Sequence, residues 1–231
     1  MAFFNSAEPI LRRKQHDLDL QDQRGLIRLQ LRIGRQALID TVLTRVDQVF
    51  WGWALVCALI FGVAQFQPFA WSEQALYWTG LSLAAALWMA ACTWFWAKVE
   101  RAVWLVVCWA GLIASGLVLT DASISFAWDA LLLHLGVLWL GISALGYLVS
   151  GIGLRSRALL ICALLHLAAA LLAATIPDWQ FLIAGVTLSS CLALLGSTQW
   201  DMRLPTTYDL PQVALAFNRA QHARRQLVRS R

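Results

Sequence analysis

The sequence predicts an all-α integral membrane bundle of six transmembrane helices with both termini in the cytoplasm. Hydrophobic residues make up 60% of the 231-residue chain and charged residues only 13%, whereas a soluble domain carries about 25% charged residues. The charges are also segregated, because residues 49–198 hold only four Lys/Arg and five Asp/Glu. So long a nearly uncharged stretch is typical of a multi-pass membrane protein.

Residues 1–48 predict a cytoplasmic tail, and we expect its first 24 residues to be mobile or loosely packed. Residues 25–34 alternate aliphatic and polar side chains, as a strand does, but their arginines also fall on one side of a helix. An isolated strand beside a membrane has no partner for its edges. We therefore expect a basic amphipathic helix at the interface, with Arg28, Arg32 and Arg35 facing the lipid head groups.

Six apolar segments follow, near residues 49–67, 75–97, 102–120, 127–149, 158–176 and 180–198. Most are close to the ~20 residues that cross a bilayer core about 30 Å thick. Helices are expected because each satisfies its own backbone hydrogen bonds in lipid. Residues 49–198 are therefore the predicted transmembrane domain, and the short links make successive helices antiparallel.

The placement of basic residues predicts the orientation. All 18 Lys and Arg residues lie in the N-terminal tail, the second link, the fourth link or the C-terminal tail. The first, third and fifth links carry acidic residues instead, namely Glu73, Asp121 and Asp178. This pattern places both termini in the cytoplasm. A composition rich in Arg and poor in Lys, with compact links, suggests a bacterial inner (plasma) membrane.

Residues 199–231 predict a basic cytoplasmic tail with a helix near residues 212–228; a disordered basic tail is the alternative. In either form Arg219, Arg224 and Arg225 are available to anionic head groups, and each adds about 1 kcal/mol near an anionic leaflet. Topology explains these cations, so we expect no nucleic-acid partner. The expected partners are the lipid bilayer, anionic head groups at the cytoplasmic face and other membrane proteins.

Most of the 13 tryptophans predict aromatic belts at the two interfaces. The cytoplasmic belt would hold Trp51, Trp53, Trp94, Trp96, Trp104 and Trp200, and the outer belt Trp71, Trp78, Trp128 and Trp179. Three others, Trp88, Trp109 and Trp139, fall deeper, where we expect packing or lipid contact.

Motifs that carry chemistry are not found in the sequence. It contains no GxxxxGK, HExxH or GxSxG pattern, which a nucleotide site, a zinc protease or a serine hydrolase would show. The five cysteines have no CxxC spacing and are expected to be small buried thiols. We therefore expect no enzymatic activity, no cofactor and no dedicated metal site.

Three ionisable residues inside the apolar segments are the candidate functional residues, because such groups are costly in lipid. Asp129 fits a solvated carboxylate at a helix start, favoured by the helix dipole. His134 and His166 fall about 10 Å and about 15 Å from the outer end of the predicted spans four and five. Neighbouring antiparallel helices would then bring the two rings together.

Several roles compete for these residues. The simplest is a pair of interhelical hydrogen bonds, with partners such as those around Thr187 and Ser190. A proton or solute path lined by Asp129, His134 and His166 is a second role. Ligation of one haem iron by the two histidines is a third, and a metal site of two histidines and one carboxylate is a fourth.

The composition of the spans favours a non-catalytic function. A permease needs a hydrated polar path, and few polar residues lie in these spans. We therefore expect an accessory, assembly or interaction subunit. A small-solute permease or proton-coupled transporter is one alternative, and a bis-histidine haem-binding redox protein is another.

Overall fold

The computed structural model describes residues 3–4, 9–14, 18–33, 36–203 and 210–229. In chain order the elements are β1 (Leu11–Arg12), α1 (Leu20–Gln23), β2 (Ile27–Ile33), β3 (Gln36–Leu43), α2 (Arg45–Phe66), α3 (Trp71–Val99), α4 (Val103–Ser125), α5 (Asp129–Leu132), α6 (Leu135–Leu154), α7 (Arg157–Thr175), a 3-10 turn (Pro177–Trp179), α8 (Gln180–Ser197), β4 (Gln199–Trp200) and α9 (Gln212–Arg229).

Six of these helices are long and apolar enough to cross a membrane: α2, α3, α4, α6, α7, and α8 with its 3-10 turn. The prediction of six long apolar helices is thus confirmed, and most of their ends lie within a few residues of the prediction. The largest contacts join α2 to α8 and α6 to α7. We call the end of the bundle that carries the 98–101 and 155–157 links the basic end.

The fourth span is shorter than predicted because the helix breaks between α5 and α6. The side chain of Gln180 on α8 forms hydrogen bonds with backbone groups on both sides of the break. Its Oε1 accepts from the Gly136 N–H at 2.9 Å and its Nε2 donates to the Leu133 carbonyl at 2.9 Å. The backbones approach so closely that a Cβ on Gly136 would lie 2.8 Å from the Gln180 carbonyl oxygen. The span therefore begins at Leu135, not at residue 127.

The amphipathic helix predicted at residues 25–35 is wrong, and with it the strict all-α class. β2 and β3 form an antiparallel hairpin whose register runs from Ile27↔Leu43 to Ile33↔Gln36, with one irregularity at Leu31/Arg32. The next segment of the chain supplies the strand partner that the sequence argument lacked. The side chain of Gln48 holds the base of the hairpin, donating to the carbonyls of Gly25 and Leu43 at 2.8 and 3.2 Å.

The N-terminal segment is packed rather than loose at residues 9–14 and 18–24, which corrects the expected mobile tail there. β1 pairs antiparallel with β4, and the Lys14 ammonium lies 2.7 Å from the Asp47 carboxylate at the start of α2. The Arg24 guanidinium lies 4.5 Å from the centre of the Phe95 ring on α3. The two ends of the described chain therefore meet at the basic end.

A chain of buried amides joins α9 to α1 and α3. The Asn218 amide donates to Gln21 Oε1 at 3.0 Å and accepts from the Leu20 N–H at 2.9 Å. Gln21 in turn donates to the Glu100 carboxylate at 3.0 Å, and Asn218 and Glu100 are almost fully buried. The expected C-terminal helix is confirmed as α9. We call β1, α1, β4 and α9 together the terminal clasp.

Candidate functional site

Asp129 and His134 lie outside the buried part of the bundle. Asp129 is the first residue of α5 and is exposed, as expected of a carboxylate at a helix start. His134 lies between α5 and α6, is also exposed, and has its Nδ1 2.9 Å from the Ala130 carbonyl oxygen. The break before α6 therefore leaves this histidine at the end of a span rather than inside it.

His166, in contrast, is fully buried at the middle of α7. Its Nδ1 lies 2.7 Å from the carbonyl oxygen of Cys162, which requires the proton on that nitrogen. The Tyr147 ring packs against the imidazole with 4.9 Å between centroids. Cys191 on α8 lies beside both the Cys162 thiol and the imidazole, yet Nε2 makes no hydrogen bond to a described residue.

The two histidines are therefore far apart. His166 touches Tyr147, which is 13 residues along α6 from His134, or about 20 Å at 1.5 Å per residue. The expected approach of the two rings is wrong in this arrangement, and one iron would not reach both. Within the described residues no three His, Cys, Asp or Glu side chains are grouped to hold a metal ion.

An elongated apolar cavity of about 180 Å³ lies between α2, α3, α4, α6 and α8. Its polar lining is limited to a few hydroxyl groups, and most of its wall is apolar. We call it the aromatic slot because nine aromatic residues line it: Phe50, Trp53, Phe61, Trp78, Trp96, Trp109, Trp139, Tyr147 and Trp200.

The indole groups of the slot differ in how their N–H is satisfied. Trp109 donates to Ser150 Oγ at 3.0 Å, and Trp139 donates to Thr120 Oγ1 at 3.2 Å. The N–H groups of Trp53 and Trp78 are buried and have no partner among the described residues. Burying an indole N–H without a partner is unfavourable, so these two groups are unsatisfied donors in the wall of the slot.

Four of the tryptophans assigned to the belts, Trp53, Trp78, Trp96 and Trp200, line the slot inside the bundle. A signal for this was available in α2, where the slot residues recur at helical spacing: Val46, Val49, Phe50, Trp53, Cys57, Ile60 and Phe61. Such a stripe marks one face of a helix. A sequence cannot show whether that face meets another helix or a cavity.

The predicted membrane-surface cations lie at the basic end where they are described. Arg28, Arg219 and Arg224 are exposed. Arg35 and the side chains of Arg32 and Arg225 lie outside the described part of the chain. Lys14 differs from these, because burial lowers the pKa of its ammonium group while the Asp47 carboxylate beside it opposes that shift.

Comparison with protein-family models, with curated proteins and with solved structures gave no match. The six spans, the slot, the hairpin and the terminal clasp are therefore the observations on which a function has to rest.

Proposed function

We propose that the chain is a non-catalytic, multi-pass protein of a bacterial inner (plasma) membrane that serves as an assembly or interaction subunit. Both termini would lie in the cytoplasm, so the basic end of the bundle would face that side. The proposal rests chiefly on one feature, the hairpin formed by β2 and β3.

The outer edges of the hairpin are open to pairing with another strand. Each of its strands pairs only with the other among the described residues, so both outer edges lack a ladder partner. Ile27 and Leu29 are both 45% exposed on one face of β2. A two-stranded hairpin is marginally stable alone, and an exposed edge is a template for another strand.

The position of the hairpin suits contact with another membrane protein. It directly precedes α2, and Gln48 in the first turns of α2 holds both ends of the hairpin base. Arg28 on β2 and Arg219 and Arg224 on α9 are exposed and would bind anionic head groups by charge. A partner would therefore meet the hairpin close to the membrane surface.

The alternatives from the sequence receive less support. A proton path would need Asp129, His134 and His166 in series, but His166 touches Tyr147, which is about 20 Å from His134 along α6. The same separation counts against haem held by both rings. The apolar wall of the slot also disfavours a polar solute as cargo.

Site-specific photocross-linking in the native membrane tests the proposal. A photoreactive residue at Leu29 should give one discrete protein adduct, because the hairpin face would touch a defined partner. The same residue at Leu164, which is 67% exposed on α7, is the control and should give lipid adducts only.

Changing the hairpin face should remove the adduct. Ile27→Asn, added to the protein that carries the photoreactive residue at position 29, should abolish the adduct. Gln30→Asn, a polar change on the opposite face of β2, should leave the adduct unchanged. If position 29 gives no protein adduct while the hairpin remains folded, the interaction role is overturned. Proton flux through the purified protein in liposomes would instead favour the transporter.

A further inference from the structure

We propose that the aromatic slot binds one acyl chain of an anionic phospholipid, with the lipid head group at the basic end. This inference is independent of the interaction role proposed for the hairpin. It follows from the length, the cross-section and the polarity of the slot, together with the charges at one of its ends.

The length of the slot matches an extended hydrocarbon chain. Its lining on α3 runs from Trp78 to Trp96, which is about 27 Å along the helix at 1.5 Å per residue. The hydrocarbon core of a bilayer is about 30 Å thick. A chain entering from the basic end could therefore extend past the middle of the membrane inside the bundle.

The cross-section of the slot excludes wider ligands. Its volume is about 180 Å³. Here that volume is spread over most of a membrane span, so only a thin molecule fits. A porphyrin or another broad ring system does not.

The slot offers a polar ligand little to bind besides the indole N–H groups of Trp53 and Trp78, which have no partner among the described residues. Its hydroxyl groups are partly engaged already, since Thr93 donates to the Met89 carbonyl at 2.8 Å and Ser150 accepts from the Trp109 indole at 3.0 Å. Within the described part of the chain, no Asp, Glu, Lys or Arg lines it. A hydrocarbon chain loses no hydrogen bonds on entering such a site and gains contacts with aromatic rings.

The basic residues near one end of the slot indicate which class of lipid head group it would bind. At the basic end the slot is bounded by Trp96, Ala102 and Leu154. Exposed basic residues lie within two positions of these in the chain: Lys98, Arg101 and Arg155. Cations beside the end of an apolar slot favour an anionic head group over a zwitterionic one.

Blocking the slot tests chain binding. The full chain, extracted in mild detergent, should carry one phospholipid in native mass spectrometry. Ser143→Phe and Ser82→Phe place a ring at buried slot positions and should remove that lipid. Ser115→Phe is the matched control, because Ser115 is exposed on α4 and its replacement should leave the lipid bound.

Head-group selectivity is measured with dioleoyl phosphatidylglycerol and dioleoyl phosphatidylcholine, which share their chains. The phosphatidylglycerol should bind roughly 30- to 150-fold more tightly, as two or three nearby cations imply. Lys98→Gln with Arg155→Gln should erase this preference and keep chain binding. Arg219→Gln with Arg224→Gln, which removes the same charge from α9, should not.

A measurement on the unaltered protein covers the case in which the blocked variants do not fold. Phosphatidylglycerol with brominated acyl chains should quench tryptophan emission in detergent and saturate at one lipid per protein, because six tryptophans line the slot. Quenching that never saturates, or lipid retained by folded Ser143→Phe, would overturn the proposal. Equal affinity for both lipids would overturn the anionic head group.

Discussion

The Asp201 carboxylate binds Arg157 across the start of α7. It accepts from Arg157 Nε at 2.8 Å and from the backbone N–H groups of Arg157 and Ala158 at 3.1 and 3.0 Å. Asp201 is 4% exposed. The Asp201 side chain, which follows α8, therefore hydrogen-bonds the free N–H groups at the start of α7, where a negative charge is favoured by the helix dipole.

Replacing this carboxylate should destabilise the protein measurably. Asp201→Ala should lower the free energy of unfolding by about 2 kcal/mol, the upper range for a helix cap; Arg157 is partly exposed, so water limits the loss. Asp201→Asn keeps one acceptor and should cost less. Denaturation in detergent micelles measures both, with Asp121→Asn as a partly exposed control of small effect. Equal stability of Asp201→Ala and the unaltered chain would contradict the contact.

The close approach at Gly136 allows a matched test of the fourth span. Gly136→Ala places a Cβ 2.8 Å from the Gln180 backbone oxygen and should destabilise the protein by about 1–3 kcal/mol through overpacking. Gly141→Ala meets nothing within 4 Å and should be neutral or stabilising by up to about 1 kcal/mol, because alanine favours the helix. The same assay compares them. A reversed order would show that α6 faces Gln180 differently.

Replacing His166 with an apolar residue should destabilise the protein less than the complete burial of the side chain suggests. Its Nε2 makes no hydrogen bond to a described residue, and removing an unsatisfied buried group recovers its desolvation cost. His166→Leu should therefore change the free energy of unfolding by less than about 1 kcal/mol, the scale of polar contacts between membrane helices. His134→Leu, at an exposed position, is the control. A large loss at His166, or a Soret band that this change removes, would show a bound partner.

The orientation is tested with reporter fusions that keep the terminal clasp intact. A reporter after Arg231 and one inserted in the link at Arg155 should report the cytoplasm, because Lys and Arg concentrate on that side. Insertions near Ser72 and Asp178 should report the opposite side. A periplasmic signal from the C-terminal fusion would invert the proposed topology.

The number of spans could be predicted because it depends on composition and on where each charge falls along the chain. The break before α6 could not, since the residue that satisfies it, Gln180, is 44 positions beyond Gly136. The hairpin was visible as alternation in Ile27, Arg28 and Leu29, but its partner strand carries no equally clear pattern. Proximity of His134 and His166 was inferred from depth alone, and the break removed the basis for that depth.

The terminal clasp also has a consequence for the order of biosynthesis. Lys14 donates to the carbonyl of Gly196, 182 residues later, so this contact and the pairing of β1 with β4 cannot form until the last span has been made. At 5–20 residues per second the ribosome needs roughly 10–40 s to cover that interval. During that time β1 lacks its partner strand and is open to chaperones or to a partner, and synthesis of β4 after the last span ends the exposure.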